Sequence, residues 1–211
     1  MTTPVLRTRL PNVGTTVFTR MSALAIEHGA VNLGQGFPDF PCDPALPDMV
    51  SDAMRAGHNQ YPMMAGAPAL REAIAVKIAA IYGSQYDAAT EITVTAGATQ
   101  ALTTAILCCV HPGDEVIVIE PAYDSYLPAI ELAGGVAVPV SMQVGEQGYS
   151  VPWERVAAAV GARTRLIVIN SPHNPTGTIF RRADIDALAG IVRGSDILIL
   201  SDEVYEHMVY D

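Results

Sequence analysis

From residue 92 onward the sequence alternates short β-branched, apolar runs with longer stretches of helical spacing. The runs fall at 92–95, 115–119, 136–140, 165–169 and 197–200. Helical patterns separate them at about 97–110, 121–133, 152–160 and 182–192. A strand buried on both faces reads as a continuous apolar run, and a parallel connection needs a helix-sized crossover. The pattern predicts an α/β domain with a mainly parallel sheet between two helical layers. Further upstream, 45–56 and 68–82 also read as helices, the second with Leu70, Ile74, Ile78 and Ile81 on one face. Residues 1–45 are rich in Pro and Gly and read as an arm with irregular loops.

Composition removes several function classes. The formal net charge is −10, and no cluster of Lys and Arg offsets it. Such a chain is a poor ligand for nucleic acid or an anionic membrane surface. The three cysteines, Cys42, Cys108 and Cys109, form neither a C-x-x-C pair nor an even set, which argues against a disulfide framework or a zinc site. The first 21 residues lack the apolar stretch of a signal peptide, and the longest apolar run, near 105–110, is far short of a membrane span. A soluble, cytoplasmic protein is expected. Neither G-x-G-x-x-G nor G-x-x-x-x-G-K-[ST] occurs, which argues against a nucleotide-binding protein. There is a single lysine, Lys77.

Ligands of open α/β sheets bind beyond the carboxyl ends of the strands. Polar clusters follow four of the runs: Ala96-Gly97-Ala98-Thr99-Gln100, Glu120-Pro121-Ala122-Tyr123-Asp124, Asn170 through Gly177, and Ser201-Asp202-Glu203-Val204-Tyr205. Parallel strands would line all four along one edge. Gly97, Ala98 and Thr99 suit either an ordinary turn into a helix or an anion cradle of backbone N–H groups and a hydroxyl. Tyr123 suits either a core aromatic or a ring laid against a flat ligand. Asn174, between two prolines, belongs to a rigid turn, yet its amide can donate to a phenolate. His173 reads as a loop histidine with no neighbouring ligand-type residue. Asp202 is either a helix cap or a buried carboxylate in need of a cationic partner, and a helical turn after it would bring Tyr205 to the same side.

These segments resemble a known family. G-A-T-Q-A-L (97–102), E-P-A-Y-D-S-Y (120–126), N-S-P-H-N-P-T-G (170–177) and S-D-E-V-Y (201–205) stand in the order seen in fold-type I, class I/II aminotransferases. N-L-G-Q-G-F-P-D-F (32–40) resembles the branch containing kynurenine/glutamine transaminases and bacterial methionine aminotransferases. T-V-F-T-R-M-S-A-L-A (16–25) and N-Q-Y-P-M-M-A-G (59–66) best fit the methionine type.

The resemblance implies pyridoxal 5′-phosphate (PLP) as cofactor and an amino acid and a 2-oxo acid as substrates. Methionine, glutamine or aromatic donors are implied, with cysteine-S-conjugate β-lyase action as the alternative. It implies that Gly97, Ala98 and Thr99 hold the phosphate, that Tyr123 stacks on the ring, and that Asn174 and Tyr205 bond its 3′-oxygen. Asp202 would pair with the protonated ring nitrogen. Gly36, in the 35–37 loop, and Asn174 would face the substrate, and Tyr61 would reach the phosphate of a second copy in a homodimer. Residues 1–45 would be the arm and a small-domain segment, and 46–211 an incomplete PLP-binding large domain. The family's covalent lysine, in a Ser-x-x-Lys context, has no counterpart here, and Lys77 reads as a solvated helix residue. The 211 residues alone are therefore expected to be inactive, or to be a non-catalytic remnant.

Overall fold

A computed structural model describes residues 7–11, 13–36, 38, 40–146 and 148–208. The chain divides into two compact units: Thr15–Thr95, and Ala96–Asp211 together with Met1–Gly14. The units part at 95/96, within the stretch that the sequence reading assigned to one large domain.

The second unit carries the sheet. Its strands are β1 (Glu115–Glu120), β2 (Val136–Ser141), β3 (Gln143–Gly145), β4 (Gly148–Ser150), β5 (Thr164–Asn170) and β6 (Leu198–Asp202). β1, β2, β5 and β6 form one wholly parallel sheet in the order β2-β1-β5-β6. Its helices are α4 (Ala98–Cys109), α5 (Tyr126–Ala133), α6 (Trp153–Ala159) and α7 (Arg182–Val192), numbered after three in the first unit.

Strand alternation sorts the core into two halves. Val116, Val118, Leu166 and Val168 pack with Leu102 and Ile106 of α4 and with Tyr126, Ala129 and Ile130 of α5. Ile117, Ile119, Ile167 and Ile169 point the other way, toward Val156 of α6 and Leu188 of α7. Burying each such aliphatic side chain contributes roughly 1.5–3 kcal/mol. Connection handedness explains the sorting. The step β1 to β2 runs one way across the sheet, and β2 to β5 to β6 runs the other. With right-handed crossovers, helices of opposite steps must lie on opposite faces.

The first unit contains α1 (Val17–Glu27), α2 (Ala45–Arg55) and α3 (Pro68–Tyr82). Helices α2 and α3 match the expected spans within a residue. Of the predicted stripe on α3, Leu70 and Ile81 are about half exposed. Gly66 has φ +104°, and a Cβ there would come within 2.7 Å of the Val94 side chain, so the end of the 59–66 motif admits only glycine.

Three expectations are corrected. Residues 92–95 form no strand. Val94 N–H donates to Ala65 O at 2.9 Å, and no ladder is formed with another strand among the described residues. Apolar, β-branched composition is not sufficient where no partner strand is at hand. The helix expected over 121–133 begins only at Tyr126. Pro128 is tolerated in a first turn but not in a helix interior, so the helix cannot start at 121. Residues 1–45 are not all loop. Thr16 caps α1 by accepting the Thr19 N–H at 3.2 Å, and no Gly or Pro interrupts 17–27. The antiparallel β3–β4 hairpin was not expected either. No helix among the described residues is long and apolar enough to cross a membrane.

Candidate active site

The strand order reverses between β1 and β5, and the crevice beyond the carboxyl ends there is where a doubly wound sheet binds its ligand. The segments after β1, β5 and β6 share that edge. The start of α4 joins them although no strand precedes it: the Thr99 hydroxyl lies 3.4 Å from the Tyr123 hydroxyl.

At the centre is Asp202, the last residue of β6, which is buried. Its Oδ2 accepts a hydrogen bond from the Tyr126 hydroxyl at 2.6 Å, and its Oδ1 accepts one from Val204 N–H at 3.2 Å. The second bond closes a local turn, since no helix follows β6 among the described residues for Asp202 to cap, and the first crosses to another element. Burial, reinforced by the hydrogen bond to Asp202, pushes the Tyr126 hydroxyl well above the usual tyrosine range, so it stays a donor at any working pH. The Tyr126 ring meets Tyr123 edge to face, with centroids 5.8 Å apart and planes at 78°.

The loop after β5 is pinned by a second buried side chain. Asn170 pairs with Asp202 in the ladder. Its Nδ2 donates to the Asp202 carbonyl at 2.8 Å, and its Oδ1 accepts the Asn174 N–H at 2.6 Å. Asn174 Nδ2 in turn lies 3.4 Å from the Tyr205 hydroxyl, in the turn that follows β6. Asn174, Tyr205, Asp202, Tyr123 and Thr99 thus belong to one connected constellation.

Gly97 caps α4 with φ 83° and no side-chain hydrogen bond. A Cβ at that position would meet nothing within 4 Å, so open space lies before the helix. The first turn of a helix carries N–H groups without intrahelical partners and the positive end of the dipole. That is the donor set an anion needs.

His173 is a loop histidine, as expected, but a buried one. Its Nδ1 lies 2.9 Å from Thr176 Oγ1, its N–H donates to Thr178 O at 2.9 Å, and its carbonyl accepts Gly177 N–H at 2.7 Å. Burial lowers its pKa below 6.5. The unfolded chain therefore binds the proton first as pH falls through about 6.5. The stability from neutral His173 is complete above that pH and is lost as pH drops toward the folded value. The Tm of the parent should fall more steeply between pH 7 and pH 5 than that of a His173→Gln variant. Scanning calorimetry across that range checks this, and parallel slopes would exclude it.

The remaining candidates lie in the other unit. Gly36 is described and Phe37 lies outside the described residues; a Cβ on Gly36 would meet nothing within 4 Å. Tyr61 is fully exposed, and Lys77 is exposed on α3. Tyr126 and Asn170 had no role in the sequence reading. The one available signal was an apolar strand ending in Asn170 beside another ending in Asp202. Among the described residues no group of three His, Cys, Asp or Glu side chains could hold a metal ion.

A buried carboxylate, an amide and a phenol side by side, an aromatic ring and an open helix N-terminus suit a flat cationic ring that carries a phenolate and a phosphate. Residues 29–211 match the family Aminotransferase class I and II, and the chain belongs to that family, whose members are PLP enzymes. It is 49% identical over 202 residues to the methionine aminotransferase of Escherichia coli, covering 96% of this chain and 52% of that protein. It is 38% identical over 218 residues to human kynurenine–oxoglutarate transaminase 1, covering 96% and 51%. A solved Escherichia coli structure, for which a methionine aminotransferase function was identified, superimposes with a TM-score of 0.92 at 48% identity, covering 97% of this chain and 53% of that one. The chain spans about half the length of the curated relatives it matches.

Proposed function

We propose that the protein to which this chain belongs transfers amino groups between an amino acid and a 2-oxo acid, with methionine first among its donors and glutamine or aromatic amino acids behind it. The observation that carries the reading is the buried Asp202 carboxylate at the carboxyl end of β6, one strand from the switch point of the sheet, with Tyr123, Asn174 and Tyr205 in the same constellation. Similarity to the methionine and kynurenine enzymes supports the donor class.

PLP, when bound, supplies an electron-accepting pyridinium ring and a carbonyl carbon able to take up the amino group. The chain's own residues do the rest of what is assigned here. Gly97, Ala98 and Thr99 hold the phosphate through the N-terminus of α4. Asp202 would keep a proton on the ring nitrogen, because a nearby negative charge favours the cationic form of that nitrogen. Asn174 and Tyr205 donate to the 3′-oxygen, and Tyr123 covers one face of the ring. Gly36 and Asn174 at the substrate, and Tyr61 at the phosphate of a second copy, complete the proposal. The full exposure of Tyr61 is compatible with a homodimer. Lys77 is given no covalent role, and on this reading the 211 residues alone do not turn over.

Borohydride reduction of the protein purified from its source, followed by intact-mass and peptide analysis, tests this. A pyridoxyl adduct on a lysine other than Lys77 supports the assignment. An adduct on Lys77 overturns its exclusion, and no bound PLP overturns the cofactor reading. With a cysteine conjugate as substrate, an oxo acid that keeps its side chain marks transamination, whereas pyruvate and a free thiol mark β-elimination.

A further inference from the structure

The Asp202 carboxylate has two oxygens, and each accepts one hydrogen bond from the protein. One donor, Val204 N–H, is local and would accompany Asp202 wherever β6 went. The other, the Tyr126 hydroxyl, comes from 76 residues away on α5. A carboxylate held at both oxygens cannot rotate without losing a bond, so its remaining lone pairs keep one direction. The same Tyr126 ring packs edge to face with that of Tyr123, whose own hydroxyl is beside Thr99. One buried side chain therefore touches both the charge and the aromatic surface of the site.

We propose that Tyr126 is a positioning residue for the cofactor ring: its hydroxyl fixes the plane of the Asp202 carboxylate, and its ring, packed edge to face with Tyr123, fixes the tilt of Tyr123. This rests on the PLP reading above. Tyr126 acts through its neighbours and needs no contact with the ligand. Its two functions are separable, because phenylalanine keeps the ring contact and loses only the hydroxyl. Leucine would lose both. Partners that orient a metal-ligating side chain are typically worth about 10- to 100-fold in affinity, and an effect at the lower end of that range is expected for a partner that orients Asp202.

The test is a double-mutant cycle on the native-length holoprotein, read by the dissociation constant of PLP and by the visible circular dichroism of the bound cofactor. Tyr126→Phe should weaken PLP about tenfold and change the dichroic band while leaving Tm within a few degrees of the parent. Asp202→Asn should weaken PLP at least as much. In the Asp202→Asn background, adding Tyr126→Phe should have little further effect, because the hydroxyl then has no carboxylate charge left to orient. Additive losses would mean that Tyr126 acts independently of Asp202 and would overturn the proposal. So would a Tyr126→Phe protein with parental affinity and dichroism, provided that Asp202→Asn still weakens PLP. If Asp202→Asn also leaves PLP binding untouched, the cofactor reading itself fails.

Discussion

Replacing Asp202 with asparagine should lower the transamination rate of the native protein by on the order of 10³-fold, the range seen when one preorganised electrostatic group is removed from an active site. The substitution is nearly isosteric. The asparagine oxygen can still accept from the Tyr126 hydroxyl, at the cost of the local bond from Val204 N–H, which would face the amide nitrogen, so the packing around β6 should largely survive. On the proposed assignment, what is lost is the negative charge opposite the ring nitrogen, and with it the means of holding that nitrogen protonated. An uncharged ring is a poorer electron acceptor, and the chemical step should slow more than substrate binding weakens. The measurement is kcat and KM with methionine and a 2-oxo acid. A fall in kcat with KM within a few-fold fits the assignment. Loss confined to KM would mean that Asp202 acts on ground-state binding instead. Unchanged kinetics would remove Asp202 from the site altogether.

Asn170→Ala should cost about 2–3 kcal/mol of folding stability. Its amide bridges the Asp202 carbonyl and the Asn174 N–H within a buried setting. Truncation strips both partners of a bond, and each unsatisfied buried group costs roughly 1–3 kcal/mol. The Asp202 carbonyl keeps a second donor, Ser171 N–H at 3.2 Å, so the loss falls mainly on the Asn174 side. In a domain of this size the cost corresponds to a fall in Tm of roughly 5–10 °C. Asn170→Asp should be worse. It replaces the donor to the Asp202 carbonyl with a second acceptor and puts another buried negative charge beside Asp202. Urea denaturation of the three proteins checks the order. An Asn170→Ala protein as stable as the parent would show that the amide bridge contributes nothing.

Strands β1 and β5 were legible because a strand covered on both faces has to be apolar throughout, and few other local structures ask for that; β6 carries the same apolar pattern although Leu198 and Ile199 are exposed at the sheet edge. The same logic misread 92–95, whose composition is equally strand-like. Pairing is a property of two segments, and the sequence of one does not contain it. Asp202, Asn174, Tyr123 and Tyr205 were legible as candidates because parallel strands deliver their carboxyl ends to one edge, so position in the chain predicted position in space. Tyr126 was visible only as part of a motif, and Asn170 only as the end of an apolar run. Their partners lie 76 and 32 residues away, and no local pattern announces a bond across that distance. The burial of His173 was hidden for the same reason: a Pro- and Asn-rich turn looks solvent-facing until Thr176 and Thr178 fold back onto it.

The bond between Tyr126 and Asp202 also bears on when the site can exist. It closes a loop of 76 residues, and it cannot form until β5 has aligned β6 in register. Contacts between residues so distant in sequence carry a large ordering cost and tend to form late. A ligand that needs this carboxylate in place has little to hold in a half-formed chain. Its effect should fall on the escape from the finished state, lengthening the lifetime of the native protein without hastening its arrival.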